Sequence, residues 1–466
     1  MKCFAAFLFL VASILALPVQ AQTTTFPVGA TTITVSTLAG NLAVPWELVW
    51  GPDNFIWMTE RGGRISRVNP TSGEVIPLLT VPDVATSSEG GLLGMALHPD
   101  FATSPYLYIV YNYNDNGYKE KLVRYTYSAA GTGSLSNPQV LLGNITATTT
   151  HSGSRLLILP DRTILMTTGD AQLRPEAQNV NSLNGKVLRL NLDGSIPANN
   201  PIAGSPTYSY GHRNPQGLVR AGNGLIYSTE HGQDAEDELN LIEPNRNYGW
   251  PTVEGNCNLP EEQAFCTANN VRAPLYSWGP TIAVAGLAYY DSPAIPEWRN
   301  NLLAVALKAS KLVQLPLTTN GSAVGAATDF LNTFGRLRAI CVSPQGRVYV
   351  STSNRDGRGT PAATDDRILV LENRSYVALP TVAAKATAFQ IWPNPARQTV
   401  FVRLPSPSAS SGTAELSDAL GRVVRTLPWP KGQTELSIPT NDLQSGVYAF
   451  RLRDGQRQYS QRVVIQ

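Results

Sequence analysis

Charge is scarce in this chain, and neither sign dominates. Only 15% of the 466 residues are Asp, Glu, Lys or Arg, and 36 basic against 34 acidic groups leave a formal net charge of +2. That near-balance removes the electrostatic basis for binding nucleic acid or an acidic membrane surface. Cysteine is almost absent, with four in all, and histidine is as sparse: His98, His151, His212 and His231. None of these histidines stands at ligand-like spacing from a cysteine, which argues against a zinc site. No stretch after residue 21 is apolar for long enough to span a bilayer.

Abundant instead are Gly (38) and Pro (34), the mixture of a turn-rich β protein rather than a helical one. One local pattern returns six times: an apolar stretch, a Pro/Asp/Gly turn, a second apolar stretch, then a third. The turn-plus-second-strand cores are WGPDNFIWMTE (50–60), HPDFATSPYLYIVYN (98–112), LPDRTILMTTGD (159–170), RAGNGLIYSTEHG (220–232), SPAIPEWRNNLLAVALK (292–308) and SPQGRVYVSTSN (343–354). Repeats of short strands spaced roughly 45–70 residues apart predict a β-propeller. The fold class expected is all-β, a six-bladed propeller followed by a small C-terminal β-sandwich.

The N-terminus reads as a secretory leader over 1–21: Lys2 is the charged start, Phe4–Leu17 the apolar run, and Val19-Gln20-Ala21 the small-residue cleavage site. Cys3 leaves with it. Export permits disulfides, and Cys257 and Cys266, in the strand-less loop NCNLPEEQAFC, are expected to pair. Closing a ring of about ten residues stabilises a fold by roughly 2–3 kcal/mol in the chain-entropy model. Cys341, in the apolar run AICV, is expected to be a buried free thiol. The propeller is placed at 30–376, a small polar linker at 377–388 and the sandwich at 389–466. The tail's short alternating strands are separated by turns.

Polar groups recur where the second strands end: Gly169-Asp170, Glu230-His231-Gly232-Gln233 and Lys308. On a propeller such ends surround one mouth of the channel. A solvated loop explains any one of them alone; the shared position points to a site. Cations gather in repeat-related places too, with Arg213-Asn214 in GHRNPQGL, Lys308, and Arg336 and Arg338 two apart. Period-2 spacing puts both arginines on one face of an extended segment. Either a multiply charged anion or surface carboxylates would relieve their repulsion. His151 opens HSGSRLLILPD among small polar residues, surroundings unlike a core. Imidazole is the side chain that exchanges protons nearest neutrality, and Asp170, one hairpin later, is placed to return beside it; a surface histidine is the alternative.

The segments LVWGPDNFIWMTER, RISRVNPTSGEV, GLLGMALHPDF, HSGSRL, GKVLRLNLDGSIP, GHRNPQGL, DELNLI and NYGWP, in this order, resemble the glucose/sorbosone dehydrogenase family, which includes soluble quinoprotein glucose dehydrogenases. The resemblance implies a six-bladed propeller holding pyrroloquinoline quinone (PQQ) and Ca2+. It implies His151 as catalytic base with Asp170 as its carboxylate partner, and cofactor contacts at Arg213, Asn214, Thr281, Lys308, Arg336 and Arg338. Backbone carbonyls of Gly232 and Gln233 would hold the calcium, and Trp278 would contact the sugar. The implied reaction is oxidation of an aldose C1 hydroxyl to a lactone, with hydride passing to the quinone and electrons to an external acceptor. Glu89 stands where the family's glucose enzymes have a glutamine near substrate and cofactor, and Thr150 replaces an acidic residue. An extra residue precedes Thr281, and Ala283-Val284-Ala285 lacks the usual Pro-Ser. These departures border the sugar, so they bear on substrate identity; shorter loops leave homodimerisation open.

The tail resembles the C-terminal sorting domain of cargo of the type IX secretion machinery, through WPNPA (392–396), SDALGRVV (417–424), LQSGVY (443–448) and the terminal RVVIQ. That implies a secreted or cell-surface protein, not a transmembrane one. Propellers serve many functions, so a non-catalytic glycan- or protein-binding propeller is the competing reading. A hydrolase using Glu89 with a second carboxylate is a third.

Overall fold

A computed structural model describes residues 23–376, 390–404, 407–408, 410–419, 421–454 and 457–466. The expected leader (1–21) and linker (377–388) lie outside the described residues. The chain divides into two compact units, ending and beginning at Tyr376 and Val377. No helix among the described residues is long and apolar enough to cross a membrane.

The first unit is a ring of six antiparallel sheets, each built mainly from one repeat. The first strands of the blades are Pro45–Trp50, Leu92–Leu97, Gly153–Ile158, Pro215–Arg220, Val284–Tyr290 and Leu337–Val342. Each packs on the first strand of the next blade, and the last returns to Pro45–Trp50, so these six line the axis. The second strands are covered on both faces by neighbouring blades. Hence Ile56–Glu60, Thr163–Thr168, Ile226–Glu230, Asn301–Ala306 and Val348–Thr352 are buried throughout. Such runs lack strict alternation because no face is left for water.

Blade six draws on both ends of the unit. Its sheet runs Leu337–Val342, Val348–Thr352, Ile368–Glu372, then Thr31–Ala39 and Thr24–Val28. The unit therefore reaches back before residue 30, because the N-terminal strands complete the last blade and join the ring's ends. In all six blades the pairing of first and second strand slips near the start of the first strand, for example between Pro45 and Glu47 and between Gly153 and Leu156. Bulges of this kind bend a strand and re-aim its side chains. All six lie at the same end of the ring.

Cys257 and Cys266 form a disulfide with 6.5 Å between their Cα atoms, and Cys266 sits on the short helix Pro260–Ala268. Cys341 is a buried free thiol. The second unit holds two sheets, one of Gln390–Trp392, Thr399–Arg403 and Glu435–Pro439, the other of Val423–Trp429, Gly412–Ser417, Gly446–Asp454 and Arg457–Ile465. They enclose their own core around Trp429, Phe450 and Val463.

Candidate active site

The bulged end of the ring carries the polar groups. His151 precedes the first strand of blade three, and Asp170 follows the second strand of the same blade. His151 Nδ1 lies 2.7 Å from Asp170 Oδ1. Asp170 also accepts the Gln172 backbone N–H at 2.8 Å and the Trp250 indole N–H at 2.8 Å. Burial alone would raise the Asp170 pKa, but the His151 hydrogen bond and charge, with these two N–H donors, hold it below the ordinary value. An ionised carboxylate fixed at both oxygens orients the ring and leaves Nε2 as the nitrogen able to accept a proton.

His151 lines a cavity of about 330 Å³ with Glu89, Thr150, Gln172, Arg213, His231, Gly232, Gln233, Thr281, Lys308 and Arg358. A deeper recess of about 90 Å³ shares Glu89, His231 and Arg358 and adds Arg61, Arg336, Arg338, Asp356 and Trp46. Four guanidinium groups thus face two carboxylates there. Arg336 Nε meets Asp356 at 2.8 Å and Arg338 Nη2 approaches the same oxygen at 4.0 Å. The carboxylate beside both arginines is therefore a residue of this chain. Burial lowers the Arg338 pKa to about 10, although Asp356 and Glu89 oppose the shift. Burial pulls Glu89 upward, but the charges of His231, Arg358, His151 and Arg338 outweigh it and keep the carboxyl below its ordinary range. Arg358 pairs with Glu89 at 3.0 Å, joining the loop before blade two to the loop that follows the second strand of blade six.

On the far wall Lys308 Nζ donates to Thr281 Oγ1 at 3.1 Å. Arg213 lies over the Trp250 ring at 5.2 Å and reaches the His231 carbonyl at 3.3 Å, while its Nε has no partner among the described residues. His231 Nε2 is likewise sealed from solvent without a partner among the described residues. Asp237 accepts the Gly232 N–H at 3.0 Å and the Ile282 N–H at 2.8 Å, tying blade four to blade five. The Gln233 N–H is held by Glu254. Among the described residues neither the Gly232 nor the Gln233 carbonyl accepts a hydrogen bond. A Cβ on Gly232 would lie 2.1 Å from the Ala235 carbonyl oxygen, so only glycine fits this turn. Among the described residues no cluster of three or more His, Cys, Asp or Glu side chains is arranged to hold a metal.

Two expected contacts fall elsewhere. Trp278 is 7% exposed, packed edge-on against Tyr276 in the core between blades four and five, and lines neither cavity. Asn214 is buried behind the wall, accepting the Gly153 N–H at 3.1 Å and touching His231 Nδ1 at 3.3 Å. His231, read from the sequence as one of the strand-end polar groups, lines both cavities. Conversely, Arg61, Asp356 and Arg358 line them without having been singled out from the sequence. The signal was present in the polar run NRDGRG after VYVST, which holds in blade six the place of Gly169-Asp170 in blade three.

Comparisons with known proteins agree in direction. The family model for glucose/sorbosone dehydrogenase matches residues 42–368, and that for a secretion system C-terminal sorting domain matches 390–466. Quinoprotein glucose dehydrogenase B of Acinetobacter calcoaceticus is 33% identical over 75% of this chain and 91% of its own. An aldose sugar dehydrogenase of Escherichia coli is 31% identical over 70% of this chain and 91% of its own. The PQQ-bound aldose sugar dehydrogenase of Streptomyces coelicolor superposes with a TM-score of 0.65 at 33% identity, covering 77% of this chain and 99% of that one.

Proposed function

The chain belongs to the glucose/sorbosone dehydrogenase family, and we propose that it is an exported aldose dehydrogenase that uses PQQ and Ca2+ to oxidise the sugar C1 hydroxyl to a lactone. The observation that carries this is the His151–Asp170 pair, 2.7 Å apart, opening onto a cavity lined by Arg213 and Lys308, beside a deeper recess that holds Arg336 and Arg338.

The residues present fit the cofactor. PQQ is a tricarboxylate, and the mouth offers guanidinium and ammonium groups in excess of carboxylates, with Arg213 Nε lacking an acceptor among the described residues. The uncommitted carbonyls of Gly232 and Gln233 are hard oxygen donors suited to calcium. Held by these cations and carbonyls, the quinone would supply the hydride acceptor and the calcium a Lewis acid. The protein's part is placement and proton transfer. His151 Nε2 removes the C1 hydroxyl proton, and Asp170 stabilises the imidazolium that forms. Glu89 and Thr150 border the sugar and replace side chains of the glucose enzymes, so preference among aldoses is set there. The sorting domain directs export by the type IX machinery.

The test is reconstitution with PQQ and Ca2+, followed by dye-linked oxidation of a panel of aldoses. Turnover is expected only with both additions. His151→Ala should lose about 10²–10⁴-fold in kcat, the usual weight of a general base, with cofactor affinity retained. Tight cofactor binding with no turnover on any aldose would overturn the assignment.

A further inference from the structure

The segment carrying His151 is strained, and it is pinned by a buried carboxyl outside the cavity. His151, Gly153 and Ser154 have φ of 59°, 66° and 71°. For His and Ser that left-handed region is unfavourable, and such strain persists only where the surroundings enforce it. Ser154 is fully buried, and its hydroxyl lies 2.8 Å from Glu120 Oε1 and 3.2 Å from the Ser152 carbonyl. Asn112 holds the Ser152 hydroxyl at 3.3 Å from the same side.

Glu120 sits in Tyr118–Ser128, the third strand of blade two, and is 1% exposed. Among the described residues no cation pairs with it. The titratable group interacting with it is Tyr118, whose hydroxyl donates to the Ala85 carbonyl at 2.9 Å. A serine hydroxyl has one hydrogen and here meets two acceptors, the Glu120 carboxyl and the Ser152 carbonyl. Both contacts are satisfied together only if Glu120 keeps its proton, donates it to Ser154 Oγ, and Ser154 donates onward to Ser152.

We propose that Glu120, as a neutral hydrogen-bond donor, is a positioning residue for the base, acting on His151 through Ser154 and Ser152. The inference rests on His151 as the base. Burial pushes the Glu120 carboxyl up to about 8, with Ser154 opposing, so the donor form holds at neutral pH. As pH rises through that value the carboxylate claims the Ser154 hydrogen. The Ser152 carbonyl then loses its donor, one residue from His151. Glu120→Gln presents an amide N–H to Ser154 at every pH and should behave as the protonated state made permanent.

Two readouts test this. In the cofactor-free full-length protein, the NMR signal of the His151 ring, identified by its loss in His151→Asn, should sense a transition near pH 8 that Glu120→Gln and Ser154→Ala abolish. In the reconstituted enzyme, kcat should fall several-fold across the same range in the native chain but not in Glu120→Gln, with PQQ affinity changed less than about twofold. Glu238, also pushed up to about 8, and Lys186, lowered to about 7, remain in both proteins and so cannot account for a difference between them. An unchanged transition in Glu120→Gln would overturn the proposal. If that variant does not fold, Ser154→Ala decides by the same criterion. Failure of aldose oxidation in the native chain would strike the proposed function and leave the NMR test standing.

Discussion

At the scale of single residues, Asp170 does two things that a titration separates. It orients His151, and its ionised form stabilises the fold. Its folded pKa lies below the ordinary 3.8. The stabilisation is therefore fully present above that value and is lost as pH falls through the folded one. Asp170→Asn should lower kcat by about 10²-fold or more, because an amide can present N–H to Nδ1 and favour the tautomer whose Nε2 is already protonated. Its stability deficit against the native chain, followed by thermal melting, should be evident at pH 7 and vanish in strong acid. An equal deficit at all pH values would show that packing, not ionisation, matters at this position. The sequence made His151 and Asp170 legible because one small residue type after another surrounds them where a core strand should be. It did not make Trp278 legible as a packing residue. Its aromatic ring lies in an outer strand sandwiched between two blades, and only the three-dimensional stacking shows that the face is covered.

At the scale of elements, the hairpin of blade three sets the position of His151. The strands Gly153–Ile158 and Thr163–Thr168 bring residues 151 and 170 together, and Gly169 lets the two backbones touch. A Cβ on Gly169 would lie 1.8 Å from the His151 carbonyl oxygen. Gly169 cannot retreat readily, since its own carbonyl accepts the Gly185 N–H at 2.8 Å and the Asn184 amide at 3.2 Å. Gly169→Ala must then displace His151. The expected result is a loss of about 10²-fold in kcat, the scale of a misplacement of about 1 Å, with destabilisation of roughly 1–3 kcal/mol from overpacking. Kinetics together with denaturant unfolding would check it; native kcat in a folded Gly169→Ala protein would refute it. Blades were readable in sequence because each has a largely buried second strand bounded by a turn. Closure of the ring was not. The strand Thr31–Ala39 precedes the first repeat and pairs with Ile368–Glu372, a partner that only a closed ring supplies.

At the scale of the whole molecule, the two units keep separate cores. Among the described residues, the cluster around Trp429 draws on Ile391 to Ile465, and the propeller's clusters draw on Phe26 to Leu371. The described residues that line the two cavities belong to the first unit. The chemistry and the address are thus encoded in different stretches of chain, and a truncation can separate them. A chain ending at Tyr376 retains the strand Ile368–Glu372 and hence the closure of blade six. Expressed without the tail, it should bind PQQ and Ca2+ with the affinity of the full chain, oxidise the same aldoses, and unfold at nearly the same temperature. In a host that exports by the type IX route, however, it should be retained rather than delivered to the surface or medium, since the sorting domain at 390–466 is missing. The two measurements answer different questions. Lost cofactor binding in the truncated protein would mean that the tail supports the propeller. Undiminished export would mean that the address lies elsewhere.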